Sequence, residues 1–259
     1  MDTLSVGSYT MEFMQAGSGP DLLLVHSLLT DMSVFEPVLA SLTARNRVTC
    51  VNLPGFGASS AVECNGLAAV ADQLARGLMA LDLPDSTAVF GNGFGSFVAL
   101  EMAIRNPQLF GALLVADTGA VFSEAGRAPF RGMAQAVSQK GVAAVLDTAI
   151  ARMLPPAFAE RHPEVVAERK RRLARVDAGC FARACLALAD MDLRTALPGL
   201  RKRTLVMCGA LDMTTPPAMA REVVALIPGA RYEEIADSGH CPMLEQPQVL
   251  ARLIHEFLA

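Results

Sequence analysis

A chain of 259 residues has the length of one large α/β domain, enough to bury about three quarters of the surface its unfolded form exposes. Hydrophobic residues at 52% against 19% charged exclude a disordered polyelectrolyte and leave a globular chain with a generous core. The net charge of −4 offers nothing to nucleic acid or an anionic membrane, and no run of about 18 uncharged apolar residues suggests a membrane span.

Asp2 follows Met1 with no apolar run close behind, so no signal peptide is expected and the cytoplasm is the expected compartment. Six cysteines (Cys50, Cys64, Cys180, Cys185, Cys208, Cys241) lack metal-ligand spacing. The first apolar run, Leu22 to Val25, leads into His26-Ser27-Leu28-Leu29-Thr30-Asp31. A helix opened there by Thr30 or Asp31 as N-cap leaves backbone N–H groups free for a ligand. The same text also fits an ordinary strand-to-helix loop with His26 hydrogen-bonded inside it. Val48 to Val51 is the next strand-like run, and Leu67, Val70, Leu74 and Leu78 then follow helical spacing.

Ala88 to Phe90 runs into Gly91-Asn92-Gly93-Phe94-Gly95-Ser96 and then into a helix that is apolar on nearly every side. Leu113 to Val115 is a further strand, with Asp117 just beyond it. From Val121 to Leu197 no strand is evident, only helix-like text broken by Pro155-Pro156. The run Arg169-Lys170-Arg171-Arg172, flanked by Glu164, Glu168 and Asp177, reads as a solvated helix face, and His162 before Pro163 as a solvated residue where a helix begins. Strands resume with Leu205 to Cys208, followed by Gly209-Ala210-Leu211-Asp212, and with Arg231 to Ile235, followed by Asp237-Ser238-Gly239-His240. A final helix gathers Val249, Leu250, Leu253, Ile254, Phe257 and Leu258 on one face, which assigns His255 to the polar surface.

Continuous apolar strands alternating with helices predict a mostly parallel sheet covered on both faces. Residues 1–120 and 198–259 form the expected core, and 121–197 reads as a helical lid over the carboxyl ends of the strands, where such sheets bind ligands.

The His26-Ser27 turn, Leu53-Pro54-Gly55-Phe56-Gly57-Ala58-Ser59, the Gly91-to-Gly95 elbow, the Gly209-to-Asp212 turn and Gly239-His240 together resemble the α/β-hydrolase fold superfamily from about Leu22 onward. His26 to Asp31 with Val34-Phe35-Glu36-Pro37-Val38-Leu39 further resembles 3-oxoadipate enol-lactonases and related lactone and C–C bond hydrolases. The resemblance implies an eight-stranded sheet, His240 as catalytic base, Asp212 as its orienting acid with Asp117 in reserve, and an oxyanion hole from the N–H groups of Leu28 and Phe94. It implies no cofactor and no metal.

Where the resemblance requires a nucleophile, this chain has Gly93. Ser96 lies a turn further on, with its hydroxyl expected to point away from the pocket. Three readings remain open: an enzyme in which His240 activates water on a small ester, enol-lactone or β-diketone without a serine nucleophile, with hydrolysis favoured over lyase chemistry; a non-catalytic binder of a small ligand; and a serine-to-glycine variant of an ordinary serine hydrolase. With the elbow backbone intact, Gly93→Ser is expected to create ester turnover and phosphonate labelling, and the chain as it stands to resist the label; a folded variant that stays unlabelled favours the binding reading.

Overall fold

Eight strands form one sheet: β1 (Asp2–Val6), β2 (Tyr9–Ala16), β3 (Asp21–Val25), β4 (Arg47–Val51), β5 (Ala88–Asn92), β6 (Ala112–Ala116), β7 (Arg203–Gly209) and β8 (Arg231–Ile235). The computed structural model describes all of residues 1–259. The order across the sheet is β1-β2-β4-β3-β5-β6-β7-β8. The six strands from β4 to β8 across the sheet run parallel, and β2 is antiparallel to both its neighbours, β1 and β4.

Five of the parallel strands, β3 to β7, are the apolar runs of the sequence extended by one to three residues, and the sixth, β8, is the mixed run Arg231 to Ile235. All residues of β5 and β6 are buried, as helices on both faces demand. The hairpin of β1 and β2 is not visible as an apolar run because β2 alternates. Tyr9 and Met11 face inward while Thr10 and Glu12 are half-exposed, the pattern of an antiparallel strand with one wet face. Its local signal is the two-residue turn Gly7-Ser8, with Gly7 at φ 65°.

The core helices are α1 (Glu36–Thr43), α2 (Leu67–Ala80) and α3 (Phe94–Arg105), followed after the long insertion by three near the C-terminus. Between β6 and β7 lie α4 (Glu124–Lys140), α5 (Leu146–Met153), α6 (Pro156–Arg161), α7 (Pro163–Leu173) and α8 (Ala178–Asp190), and no strand of the sheet. The last three helices are α9 (Pro217–Leu226), α10 (Pro242–Glu245) and α11 (Pro247–Leu258). Helix α3 is buried from Phe94 to Leu100, in the position its all-round apolarity demands. The two ends of the insertion meet, with Val121 and Asp192 forming an isolated antiparallel bridge and Leu193 N–H donating to the Ala120 carbonyl at 2.8 Å.

Two charged residues depart from the sequence reading. Arg169 is not on a solvated face: it is 5% exposed, donates to Ser33 Oγ at 3.0 Å and lies 3.7 Å from Asp31. Helix α7 turns it inward because Asp31, the side-chain cap of the short 3₁₀ turn Met32–Phe35, is itself buried and needs a countercharge. Lys170 and Arg171 do face solvent. His255 is half-buried, and its Nε2 is enclosed without a partner. It lines a concavity of about 490 Å³ with Pro20, Arg45, Gly111 and Arg203, at the amino ends of the strands and so on the face opposite to that where parallel sheets bind ligands. His162 is 40% exposed in its side chain and sits beside Glu164, as expected.

Candidate active site

The elbow between β5 and α3 turns on Gly93, at φ 50° and ψ −121°. A residue with a Cβ is strained there, whereas glycine adopts the conformation freely. Gly95 is required for a different reason. A Cβ on it would drive into the carbonyl oxygens of Val25 and His26, so its absence lets α3 press directly onto the end of β3. Ser96 donates its hydroxyl to the Gly93 carbonyl at 2.6 Å, which turns it away from the pocket.

His240 and Asp212 come from the loops after the neighbouring strands β8 and β7. Asp212 Oδ2 accepts from His240 Nδ1 at 2.8 Å and from Thr215 Oγ1 at 2.6 Å. Its other oxygen accepts the N–H groups of Thr214 and Thr215 at 2.8 and 3.2 Å. Burial would push this carboxyl up, but the adjacent His240 charge and these donors hold it below the usual range. Burial likewise lowers the basicity of His240, yet the Asp212 charge and hydrogen bond reverse this and leave its pKa raised. The bond also fixes the ring, with Nδ1 committed to Asp212 and Nε2 left for the cavity.

Asp117, at φ 55°, makes no hydrogen bond to the ring. Its oxygens accept from Asn92 Nδ2 at 2.7 Å and from Gly209 N–H at 2.9 Å. Full burial, added to the nearby Asp212 charge, raises its pKa well above the ordinary range. Asn92 also donates to the His240 carbonyl at 3.1 Å, and Glu245 accepts the N–H groups of Gly239 and Cys241 at 2.5 and 2.9 Å. These contacts brace the His240 loop on both sides.

The loop after β3 is held as rigidly. His26 is fully buried: Nε2 accepts from Leu53 N–H at 3.0 Å, which obliges Nδ1 to carry the proton and donate to the Ser27 carbonyl at 2.7 Å. Burial drops its pKa to about 4, so the ring stays neutral. Ser27 N–H donates to Thr30 Oγ1 at 3.1 Å, and that hydroxyl donates back to the Ser27 carbonyl at 3.2 Å. Ser27 Oγ accepts from Phe94 N–H at 3.4 Å, so this proposed oxyanion donor meets a side chain, while Leu28 N–H has no protein acceptor. A Cβ built on Gly93 would overlap Ser27 Oγ and stand 2.7 Å from His240 Nε2. Sequence reasoning passed over Ser27, whose position beside the elbow depends on the β3–β5 pairing.

Ser27, Leu28, Gly93 and His240 form the floor of a pocket. Phe97, Phe122 and Phe130 stack into one wall, with ring centroids 5.6 and 4.8 Å apart along the series. Met133, Arg152 and Leu188 close it from the helical insertion. The cavity has a volume of about 20 Å³, roughly the room of one water molecule. Arg152 lies against the Phe130 ring at 5.5 Å, with its Nε buried and unpartnered.

The arrangement has many relatives. The chain is 31% identical over 97% of its length to the polyketide synthase ThaQ of Burkholderia thailandensis, although it spans only 12% of that protein. It is 30% identical to 3-oxoadipate enol-lactonase 2 of Acinetobacter baylyi, covering 95% of this chain and 92% of the relative. The structure of the enol-lactonase from Burkholderia xenovorans LB400 superposes with a TM-score of 0.91 at 25% identity over 99% of both chains. The model of the alpha/beta hydrolase family matches residues 22–253, a span that takes in the β3 loop, the glycine elbow, Asp212 and His240 together. On that match, and on the eight-stranded sheet that carries it, the chain belongs to the alpha/beta hydrolase family.

Proposed function

We propose that the protein hydrolyses a small activated carbonyl compound, an ester, enol-lactone or β-diketone, with His240 as the general base that activates water. Asp212 orients the ring and balances its charge, and the elbow supplies no nucleophile, since residue 93 has no side chain. The observation that carries this reading is the 2.8 Å bond from His240 Nδ1 to Asp212, made where the free Nε2 faces the cavity floor. A buried carboxylate held by four donors is an expensive way to position a ring, and a passive binding pocket gains nothing from it. Relatives named enol-lactonase lend the substrate class its support.

Residues 121–197 act as the cap and residues 1–120 and 198–259 as the hydrolase core. Arg152 is the charged group that the cap brings to the pocket, which favours a substrate bearing a carboxylate. No cofactor, nucleic acid or membrane takes part.

The test is turnover of a panel of esters, lactones and diketones, in neutral and carboxylate-bearing forms, by the parent protein and by His240→Ala. Loss of turnover by about 10²-fold or more in His240→Ala is expected. Unchanged turnover in that variant would remove His240 from the chemistry. Carboxylate-bearing substrates should show the lower KM, and Arg152→Ala should abolish that advantage while leaving neutral substrates unaffected.

A further inference from the structure

The space that Gly93 leaves open is occupied. Ser27 Oγ overlaps the point where a side chain at position 93 would begin, with its own Cβ 2.9 Å and His240 Nε2 2.7 Å from that point. The hydroxyl and the ring nitrogen thus both border the space that a single methyl group at position 93 would fill. Ser27 is 2% exposed and lines the cavity, and its oxygen accepts one N–H while its proton has no protein acceptor. Its backbone is pinned by His26 and Thr30, so little movement is left to it beyond rotation about χ1.

We propose that Ser27 is the nucleophile of this enzyme, delivered to His240 from the loop after β3 in place of the elbow. The proposal rests on His240 as base. Ser27 Oγ attacks the substrate carbonyl carbon and gives its proton to His240 Nε2, while the carbonyl electron pair moves onto oxygen. Leu28 N–H, free of any protein acceptor and belonging to the residue after Ser27, donates to that oxyanion. The oxygen pair then re-forms the carbonyl, the alcohol or enolate leaving group departs with the proton from His240, and an ester on Ser27 remains. Water, deprotonated by His240, attacks this ester. Collapse releases the carboxylic acid, and Ser27 Oγ recovers the proton from His240. A constraint follows from the same geometry: positions 27 and 93 cannot both carry a hydroxyl in this place.

The experiment is labelling with a fluorophosphonate, in which the serine oxygen displaces fluoride, read by intact mass and peptide mapping. Contrary to the resistance that the glycine elbow alone implies, the parent protein is expected to gain one phosphonyl group on the peptide containing Ser27. Ser27→Ala, with circular dichroism matching the parent, is expected to take none and to lose about 10²-fold or more in turnover of an activated ester. His240→Ala should label slowly, since Ser27 loses its base. An unlabelled parent, or a label on Ser96 or any other residue, overturns the proposal. So does a folded Ser27→Ala with undiminished turnover. If His240→Ala is inactive in that case, the general-base reading survives and water attacks directly; if it too is fully active, both readings fall.

Discussion

At the scale of single residues, Gly93 and Ser27 define a steric exchange. The sequence alone suggests that Gly93→Ser adds a hydroxyl to an empty turn. The structure shows a turn already filled from the side, so the added Cβ meets Ser27 Oγ in a backbone region that itself strains any L-residue. Gly93→Ser alone should therefore lower the unfolding free energy by about 2 kcal/mol or more, measured by urea denaturation. The double variant Ser27→Gly, Gly93→Ser should recover most of that loss and take a phosphonate at position 93. A single variant as stable as the parent would show that Ser27 does not hold this place. His240 permits a second prediction. Only the neutral ring is a base, and Asp212 raises its pKa, so kcat/KM should climb with pH through a value above histidine's ordinary 6.5 or so. Asp212→Asn should shift that limb downward and cost about 10⁴-fold in kcat. A limb that stays in place would mean that another group sets it.

Among elements, what was legible in the sequence depended on where each one is buried. Strands β3 to β7 each carry a run of apolar residues because helices cover both faces, and these runs stand out. Strands β1 and β2 do not, because an edge hairpin with one wet side writes a mixed pattern. His240 and Asp212 were legible because each follows a strand-like run within a few residues. Ser27 was not, since its neighbourhood is created by the long-range pairing of β3 with β5, which sets Val25 opposite Gly91. Arg169 shows the same limit for charge, where a basic run conceals one inward member. That residue ties α7 to the loop after β3 through Asp31 and Ser33. Arg169→Met should leave the core intact, because Arg172 still reaches Asp31 at 3.4 Å. It should nevertheless loosen the insertion, speeding proteolytic cleavage between α4 and α8 several-fold. Cleavage at the parental rate would mean that the pair contributes nothing to docking.

At the scale of the whole molecule, stability in acid should carry the signature of His26. Its ring is held neutral by burial, with a pKa of about 4 in the folded chain against 6.5 for the free side chain. Between those values the unfolded chain binds a proton that the folded chain refuses. The contribution of this group is thus greatest above about pH 6.5 and falls as pH drops toward 4, by about 3 kcal/mol. His26→Gln keeps a donor and an acceptor without the titration, so its urea midpoint should vary less over that interval than the parent's. Equal slopes in the two proteins would place the acid sensitivity elsewhere.

The Val121–Asp192 bridge has a consequence for how such a protein diversifies. The chain leaves the sheet after β6 and returns before β7 through two segments joined by this one bridge, so the helices between them hang from a closed stem. For a loop whose ends are pinned, each doubling in length adds only about 0.6 kcal/mol of closure entropy. Lengthening, shortening or exchanging the five helices therefore leaves β6, β7 and the loops bearing Asp117 and Asp212 where they are. The helical insertion and the sheet loops beneath it can drift at separate rates, like a cassette in a fixed housing.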